Sequence, residues 1–367
     1  MAKPRGRDLG LPFPGTPGPH NAITDVPGVL VGTTTIVEGD GPLIVGRGPV
    51  RTGVTAILPR GASEEPMPVW AGVHAFNGNG EMTGTHWIGD GGYFTGPMCI
   101  TNTHSVGIVH HACVRWMLRR HGARFLDHHL WAMPVVAETY DGVLNDINGL
   151  HVSEAHALAA LDGARGGPVP EGNVGGGTGM IAYEFKGGTG TASRIVSTGG
   201  LTGHVGALVQ ANHGRREAFT VLGVPVGAHL RDDPMFPRER GSIIVVIGTD
   251  LPMLPHQLRR LAKRAAIGIG RGGTSGGNGS GDIFLAFSVA NPMPLPQFGP
   301  PVWTMTALGD EGFDPAYQAA VEAVEEAVVN AMLAAESTPT LKPPGRVARA
   351  LDHDALMAVM RRHGRAA

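Results

Sequence analysis

Eight short apolar runs set the limits on what this chain can fold into: "GVLVGTTTIV", "VTAILPR", "VWAGVHAF", "MCITNT", "WAMPVVAETY", "GALVQAN", "SIIVVIGT" and "IFLAFSV". Each is bounded by Gly, Pro or Asn, the mark of strands separated by turns. Glycine supplies 57 of 367 residues with no G-X-Y period, which excludes collagen and fits tight turns and close backbone approaches. Three helices are expected between the runs. One covers 105–121 from the N-cap Ser105. A second covers 255–267, with Leu254, Leu258, Leu261 and Ala265 at helical spacing and Pro255 in the first turn. The third covers 314–335, opened by "DP", with Phe313, Tyr317, Val321, Val324, Val328 and Met332 along one face. Groups of strands broken by helices argue for a layered α+β sandwich. No linker is long enough to divide the chain and no internal repeat occurs, so one domain, 1–367, is expected. The Pro/Gly-rich first twenty residues and the basic "RRHGRAA" end are expected to be loose.

Charge and cysteine content narrow the function. Formal net charge is −2, the pI is about 6.8 and charged residues make up 16%. No basic stripe appears, so no nucleic-acid partner is expected. So low a charged fraction fits a chain that buries much surface, as in an oligomer. Cys99 and Cys113 are too few for a disulfide framework and suit a reducing compartment. The N-terminus lacks an apolar signal core, and no stretch approaches the roughly 20 apolar residues of a membrane span. A cytoplasmic protein without a membrane partner is expected.

Several motifs have bland explanations. "GNVGGGTGMIAYEFKGGTGTAS" (172–193) contains neither G-x-x-x-x-G-K-[ST] nor a G-x-G-x-x-G that opens a helix, so glycine-rich strands and a hairpin are expected there rather than a nucleotide site. The histidine pairs at 110–111 and 128–129 lack H-E-x-x-H or Cys/His spacing, and no metal is expected. Other stretches place polar groups at the ends of apolar strands, where sites are usually built. "VVAETYDGVLNDING" (135–149) is expected to expose Glu138, Tyr140, Asp141, Asn145 and Asp146 together. "LVQANHGRR" does the same with Asn212, and "SGGNGSGDIFLAFS" sets Ser280 and Asp282 in a glycine-dense turn.

"RERGSIIVVIGTD" (238–250) runs from a charged segment through Gly241–Ser242 directly into a buried-strand pattern. A small residue often starts a strand. Alternatively, Ser242 becomes a chain terminus and a nucleophile. No G-x-S-x-G elbow is present, so a serine nucleophile needs another base. A chain's own α-amine, with a pKa of about 7.7–8.0, is suited to that without special tuning.

Taken in order, "GTPGPHNAITDVPGVLVG", "VRTGVTAILPRG", "FNGNGEMTGT", "ITNTHSVG", "VVAETYDGVLNDING", "GNVGGGTGM", "LVQANHGRR", "GSIIVVIGTDLPMLPHQ" and "GNGSGDIFLAFS" resemble the DmpA-like aminopeptidases. This is the L-aminopeptidase/D-esterase group, with β-peptidyl aminopeptidases as relatives. The resemblance runs from about residue 15 to residue 335. It implies a four-layer αββα sandwich like that of N-terminal-nucleophile hydrolases but with different connectivity. It also implies self-cleavage at Gly241–Ser242 into fragments 1–241 and 242–367, with Ser242 as the nucleophile. Ser280 and Asp282 match the pair that supports it. Aspartate is one methylene shorter than the glutamate relatives often carry, which shortens its reach to Ser280 or to the new amine. Asn212 and Tyr140 match groups that stabilise the oxyanion or hold the substrate carbonyl, and Glu138 a carboxylate that binds the substrate's free ammonium. The proton acceptor in turnover is either the Ser242 amine or the Ser280–Asp282 pair.

The implied substrates are small peptides, amino-acid amides and esters. No cofactor or metal is implied, and a homotetramer of processed protomers is. The alternatives are a related self-cleaving oligoamide hydrolase or acyltransferase, an unprocessed non-catalytic binding protein of this fold, and a glycine-rich nucleotide binder.

Overall fold

A computed structural model describes residues 3–366 apart from 129, 237, 238 and 240. His129 of the second histidine pair, and Arg238 and Arg240 of the charged segment before Gly241, therefore lie outside the described residues.

The apolar runs pair into two sheets. The smaller has the order β1-β2-β5-β6, with β1 Leu30–Glu38, β2 Val50–Leu58, β5 Met98–Asn102 and β6 Val135–Thr139. The larger has the order β4-β3-β12-β11-β10-β9. Its strands are β3 Pro68–Gly78, β4 Tyr93–Thr95, β9 Gly188–Thr198, β10 Leu201–Asn212, β11 Ser242–Thr249 and β12 Gly281–Ser288. Two short hairpins, β7 (Ile181–Ala182) with β8 (Phe185–Lys186) and β13 (Thr338–Leu341) with β14 (Pro344–Ala348), lie outside them.

Three apolar cores give four layers. Ile57, Ile100, Val135 and Ala137 of the small sheet meet Leu208, Ile244, Val246, Leu285 and Phe287 of the large one. Alternate residues of the same strands, among them Val209, Ile243, Val245 and Phe284, point the other way and pack on helices. Those helices are α5 (Pro255–Ala262), α6 (Arg264–Arg271) and α7 (Asp314–Leu333). On the far side of the small sheet, Val54, Ala56, Cys99 and Val136 pack on α2 (Val106–Asp127) and α3 (Glu154–Asp162). The result is the αββα sandwich. Strands buried on both faces read as continuous apolar runs, as "SIIVVIGT" does. The short α1 (Thr85–Gly91) and α4 (Val226–His229) and the terminal α8 (His353–Arg362) complete the elements.

Several expectations need correction. The helix expected over 255–267 is two helices, broken at Lys263, where the Ala266 N–H bonds back to the Lys263 carbonyl in a tighter i→i+3 turn. The helix from Ser105 continues to Asp127 past a non-helical His121. Helix α7 is buried on nearly every side, including Glu322, Glu325 and Glu326, because the N-terminal segment lies on it. That segment is anchored rather than loose: the Gly6 N–H donates to Asn330 Oδ1 at 3.0 Å, and Leu11 and Phe13 are buried. The basic C-terminus is helical through Arg362, started by Asp352, whose carboxylate accepts the Ala355 N–H at 2.8 Å.

Candidate active site

One end of the sandwich gathers the ends of six strands. Antiparallel pairing of β10 with β11 places Asn212 opposite Ser242. Parallel pairing of β11 with β12 places Ile243 opposite Asp282, and β3 places Asn77 opposite Asp282. Facing this edge, β5 and β6 of the small sheet end at Asn102 and Thr139. Gln210 ties the two sheets together there: its Nε2 donates to the Thr101 carbonyl at 2.9 Å and to Thr139 Oγ1 at 2.8 Å.

Ser242 is buried at the first position of β11, and its Oγ accepts the Gly281 N–H at 2.9 Å. A backbone donor on Oγ stabilises the alkoxide form and leaves the hydroxyl hydrogen free for transfer. Gly281 has to be glycine, because a Cβ there would overlap the Asn79 carbonyl. Gly241 is equally constrained. Its φ is +153°, and a Cβ would overlap the Asn212 carbonyl oxygen.

Ser280 Oγ lies 2.7 Å from Asp282 Oδ2, so the shorter aspartate does reach its serine. Asp282 Oδ1 accepts the Ile243 N–H at 3.2 Å, which ties the carboxylate to the residue after Ser242. Burial raises the Asp282 pKa, and hydrogen bonds from Ser280 and Asn77 oppose that rise.

Asn212 is held at both ends. Its Oδ1 accepts the Ile181 N–H at 2.8 Å and its Nδ2 donates to the Tyr140 carbonyl at 3.1 Å. One Nδ2 hydrogen remains to face a reacting oxygen. The contact of Tyr140 with Asn212 thus runs through its backbone. The phenol lies over Gly142 and Ile147 and is 43% exposed.

Glu138 is 4% exposed. Its Oε1 accepts the Glu81 N–H at 2.9 Å, and its Oε2 accepts the Thr103 hydroxyl. Burial raises its pKa, against the opposing pull of those two donors. A desolvated carboxylate held this way favours a cation beside it.

The expectation that Glu138, Asp141, Asn145 and Asp146 stand exposed with Tyr140 is wrong, since all four are buried. Asp146 is a turn organiser that accepts the N–H groups of Gly46, Gly48 and Gly149 and pairs with His151. Asn145 Oδ1 accepts the Arg51 N–H, and its Nδ2 donates to Asp141. Polar side chains in this loop replace the sheet hydrogen bonds that its backbone lacks. The glycine-rich 172–193 stretch is a 3₁₀ turn (Gly175–Gly179) leading through the β7–β8 hairpin into β9. Among the described residues no group of three or more His, Cys, Asp or Glu side chains is placed to hold a metal ion. Likewise no described helix is long and apolar enough to cross a membrane.

Reasoning from sequence missed Asn77, Thr103, Gly281 and Glu239. Asn77 donates to both members of the Ser280–Asp282 pair. Glu239, three residues before Ser242, accepts the Gly214 N–H at 2.9 Å and the Thr274 hydroxyl at 3.1 Å, which anchors the segment ahead of the Gly241–Ser242 bond. For Asn77 a signal existed, a polar residue at the end of the apolar run "VWAGVHAF".

Comparisons with known proteins place the chain in a family. The sequence profile of peptidase family S58 matches residues 21–343. The β-peptidyl aminopeptidase BapA of Sphingosinicella microcystinivorans is 50% identical, over 99% of this chain and 93% of its own. The L-aminopeptidase D-Ala-esterase/amidase of Ochrobactrum anthropi, described as a prototype of the serine aminopeptidases and a variant of the Ntn hydrolase fold, superposes with a TM-score of 0.95. It is 59% identical over 100% of both chains. A Burkholderia β-aminopeptidase superposes with a TM-score of 0.90 at 48% identity, over 98% of this chain and 99% of its own. The chain belongs to peptidase family S58 and is a serine aminopeptidase built on a variant of the Ntn hydrolase fold.

Proposed function

We propose that this enzyme cuts itself at Gly241–Ser242 and then uses Ser242 to release N-terminal residues from peptides, amides and esters that carry a free amine. One observation carries the reading. Ser242 begins a wholly buried strand with its Oγ on a backbone N–H, directly after a glycine whose conformation other residues avoid. In maturation the Oγ attacks the Gly241 carbonyl carbon and the C–N bond breaks. The acyl group passes from nitrogen to oxygen as the hydroxyl proton is handed on to the departing Ser242 nitrogen, and water hydrolyses the ester. The nitrogen of Ser242 is an amide at that stage and cannot act as a base, so the Ser280–Asp282 pair takes the hydroxyl proton. In turnover the same Oγ attacks the substrate carbonyl, and an acyl-enzyme forms and hydrolyses. The freed amine of Ser242 or the Ser280–Asp282 pair accepts the proton. Asn212 Nδ2 and the Tyr140 phenol face the oxyanion, and each such donor is worth roughly 2.7–4 kcal/mol where measured elsewhere. Glu138 pairs with the substrate ammonium.

Relatives include one named an L-aminopeptidase D-Ala-esterase/amidase and one named a β-peptidyl aminopeptidase, so α- and β-amino-acid p-nitroanilides are the probes. Intact-mass measurement with N-terminal sequencing of the smaller band tests the cut. A full-length chain that retains aminopeptidase activity overturns the proposal. The processed fragments 1–241 and 242–367 would stay together through the β10–β11 and β3–β12 pairings, each of which joins a strand of one fragment to a strand of the other. Two further assignments belong to this reading. The buried free thiols of Cys99 and Cys113 fit a reducing cytoplasm. The exposed Val37, Ile44, Val45 and Leu150 fit contacts within a homotetramer.

A further inference from the structure

Asn77 has no part in the reaction as set out above, yet it touches both members of the Ser280–Asp282 pair. Its Nδ2 lies 3.0 Å from Ser280 Oγ, 3.2 Å from Asp282 Oδ2 and 3.1 Å from the Gly277 carbonyl oxygen. A carbonyl and a carboxylate can only accept, so the amide nitrogen, not its oxygen, must face them. The contact fixes the direction of a proton. Ser280 has one hydroxyl hydrogen and two acceptors at 2.7 Å, the Gly277 carbonyl and Asp282 Oδ2. One amide hydrogen on the Gly277 carbonyl makes Asp282 the better acceptor for the Ser280 hydroxyl, and the other, shared between the Ser280 oxygen and Asp282 Oδ2, leaves the Ser280 O–H pointing away from Asn77.

We infer that Asn77 is a positioning residue of this centre: it aims the Ser280 hydroxyl at Asp282 and holds the Asp282 carboxylate in its ionised form. The inference rests on reading that pair as a proton acceptor. The surroundings of Asp282 show why such help is needed. Burial opposes its ionisation, and Glu239, on the segment before Ser242, adds a like charge. The Asp282 charge also reaches the buried Tyr183 phenol. From β11 comes only the Ile243 N–H, and β3 contributes Asn77 itself. The donors are thus Ser280, Asn77 and one backbone N–H, with no cation among the described groups that act on Asp282.

The test compares wild type with Asn77→Ala and the nearly isosteric Asn77→Asp, read as kcat and KM for an amino-acid p-nitroanilide across the acid and neutral range. Asn77→Ala is expected to lower kcat roughly tenfold or more with KM little changed. Its acid limb should move up by about one pH unit, the tenfold change that loss of a hydrogen bond to a charged group corresponds to. Asn77→Asp should move the limb further, because a second carboxylate opposes ionisation of the first. If a variant matures too slowly to assay, the same limb is read from its self-cleavage rate against pH by intact mass. If Asn77→Ala does not fold, Asn77→Asp decides alone. An acid limb unmoved in the variants, whatever the loss in amplitude, means that Asn77 only fills space and overturns the inference. Wild type that neither cuts itself nor hydrolyses the probe would instead sink the reading of the site, which is a different result.

Discussion

Asn212 and Ser242 sit directly opposite each other where β10 ends and β11 begins, and the Asn212 carbonyl lies where a Cβ on Gly241 would have to go. The strand that supplies the proposed oxyanion donor thus also dictates glycine before the bond proposed to be cut. Ser242→Ala is expected to remain one chain, folded and inactive. Gly241→Ala keeps the nucleophile but must distort the backbone, at a cost of about 1–3 kcal/mol. Its maturation should be at least about tenfold slower, followed as the loss of full-length mass with time. Maturation at the wild-type rate would show that the cut does not depend on this close approach.

Asp141 gives a prediction about pH. It is fully buried, burial pushes its pKa up to about 7, and Thr52, Asn145 and Asn102 lower it in part. The folded chain therefore binds this proton more tightly than the unfolded chain. The stabilisation is complete below the ordinary carboxylate range and is lost as pH rises through about 7. Asp141→Asn keeps the shape without the titration. Relative to wild type, the variant should gain on the order of a few kcal/mol between acid and mildly alkaline pH in urea unfolding. Parallel stability curves would show that Asp141 titrates alike in the folded and unfolded chains.

Helix α7 covers Arg194, whose guanidinium pairs with Glu326 at 2.7 Å and Glu322 at 3.4 Å. Glu326 also accepts from Arg7 at 3.0 Å and Asn21 at 2.6 Å. Glu326→Ala leaves a buried cation short of a partner, and such losses cost about 3–5 kcal/mol. The urea midpoint should fall sharply, and the segment ahead of β1 should become the first site of proteolysis. Asp40→Ala breaks the Arg51–Asp40 pair, where Asp40 is 91% exposed, and should change stability by less than about 1 kcal/mol.

Chelation gives a further check. The proposed nucleophile, proton acceptor and oxyanion donors are all side-chain or terminal groups of this chain. EDTA should leave the activity of the matured enzyme unchanged. Loss in EDTA with recovery on adding zinc or manganese would overturn that chemistry.

What the sequence could show depended on distance along the chain. Ser242, Ser280, Asp282 and Asn212 each end or begin an apolar run, and the pairing of those runs brings them together. The layers were legible for the same reason, because strands such as "SIIVVIGT" must be covered on both faces. Asp146 is different: its partners Gly46 and Gly48 lie 100 and 98 residues away, and nothing local separates a turn organiser from a ligand. The N-terminal arm reads as loose because proline and glycine dominate it, but Gly6, Arg7 and Phe13 find partners on α7 and in the core, more than three hundred residues on in two cases. Helix α3 escaped notice because its apolar residues are mostly alanines, and its Ser153–His156 capping box lacks the usual glutamate or glutamine.

Glu138 is the last group whose role can be isolated. Both its oxygens already accept from the protein, yet it is nearly buried, no described lysine or arginine pairs with it, and burial raises its pKa. Its donors come from loops 57 and 35 residues away, so its geometry is fixed before any substrate arrives. A substrate ammonium would supply the missing positive charge, whereas an acetylated amine would not. Wild type should therefore cleave an amino-acid p-nitroanilide and ignore its N-acetylated form. With falling pH, the carboxylate gains a proton at a higher pH than an ordinary glutamate does. KM for the free amine should rise as it does so. Glu138→Gln keeps the shape and loses the charge. It should still mature, because self-cleavage involves no substrate ammonium, while kcat/KM drops by about a hundredfold or more, the equivalent of roughly 3 kcal/mol for leaving a buried charge unpaired. A variant that fails to mature assigns Glu138 to the fold or to the cutting step. A variant that matures and keeps normal kcat/KM places recognition of the amine elsewhere, and Glu81, whose N–H holds Glu138 and whose side chain is exposed, is the next carboxylate to replace.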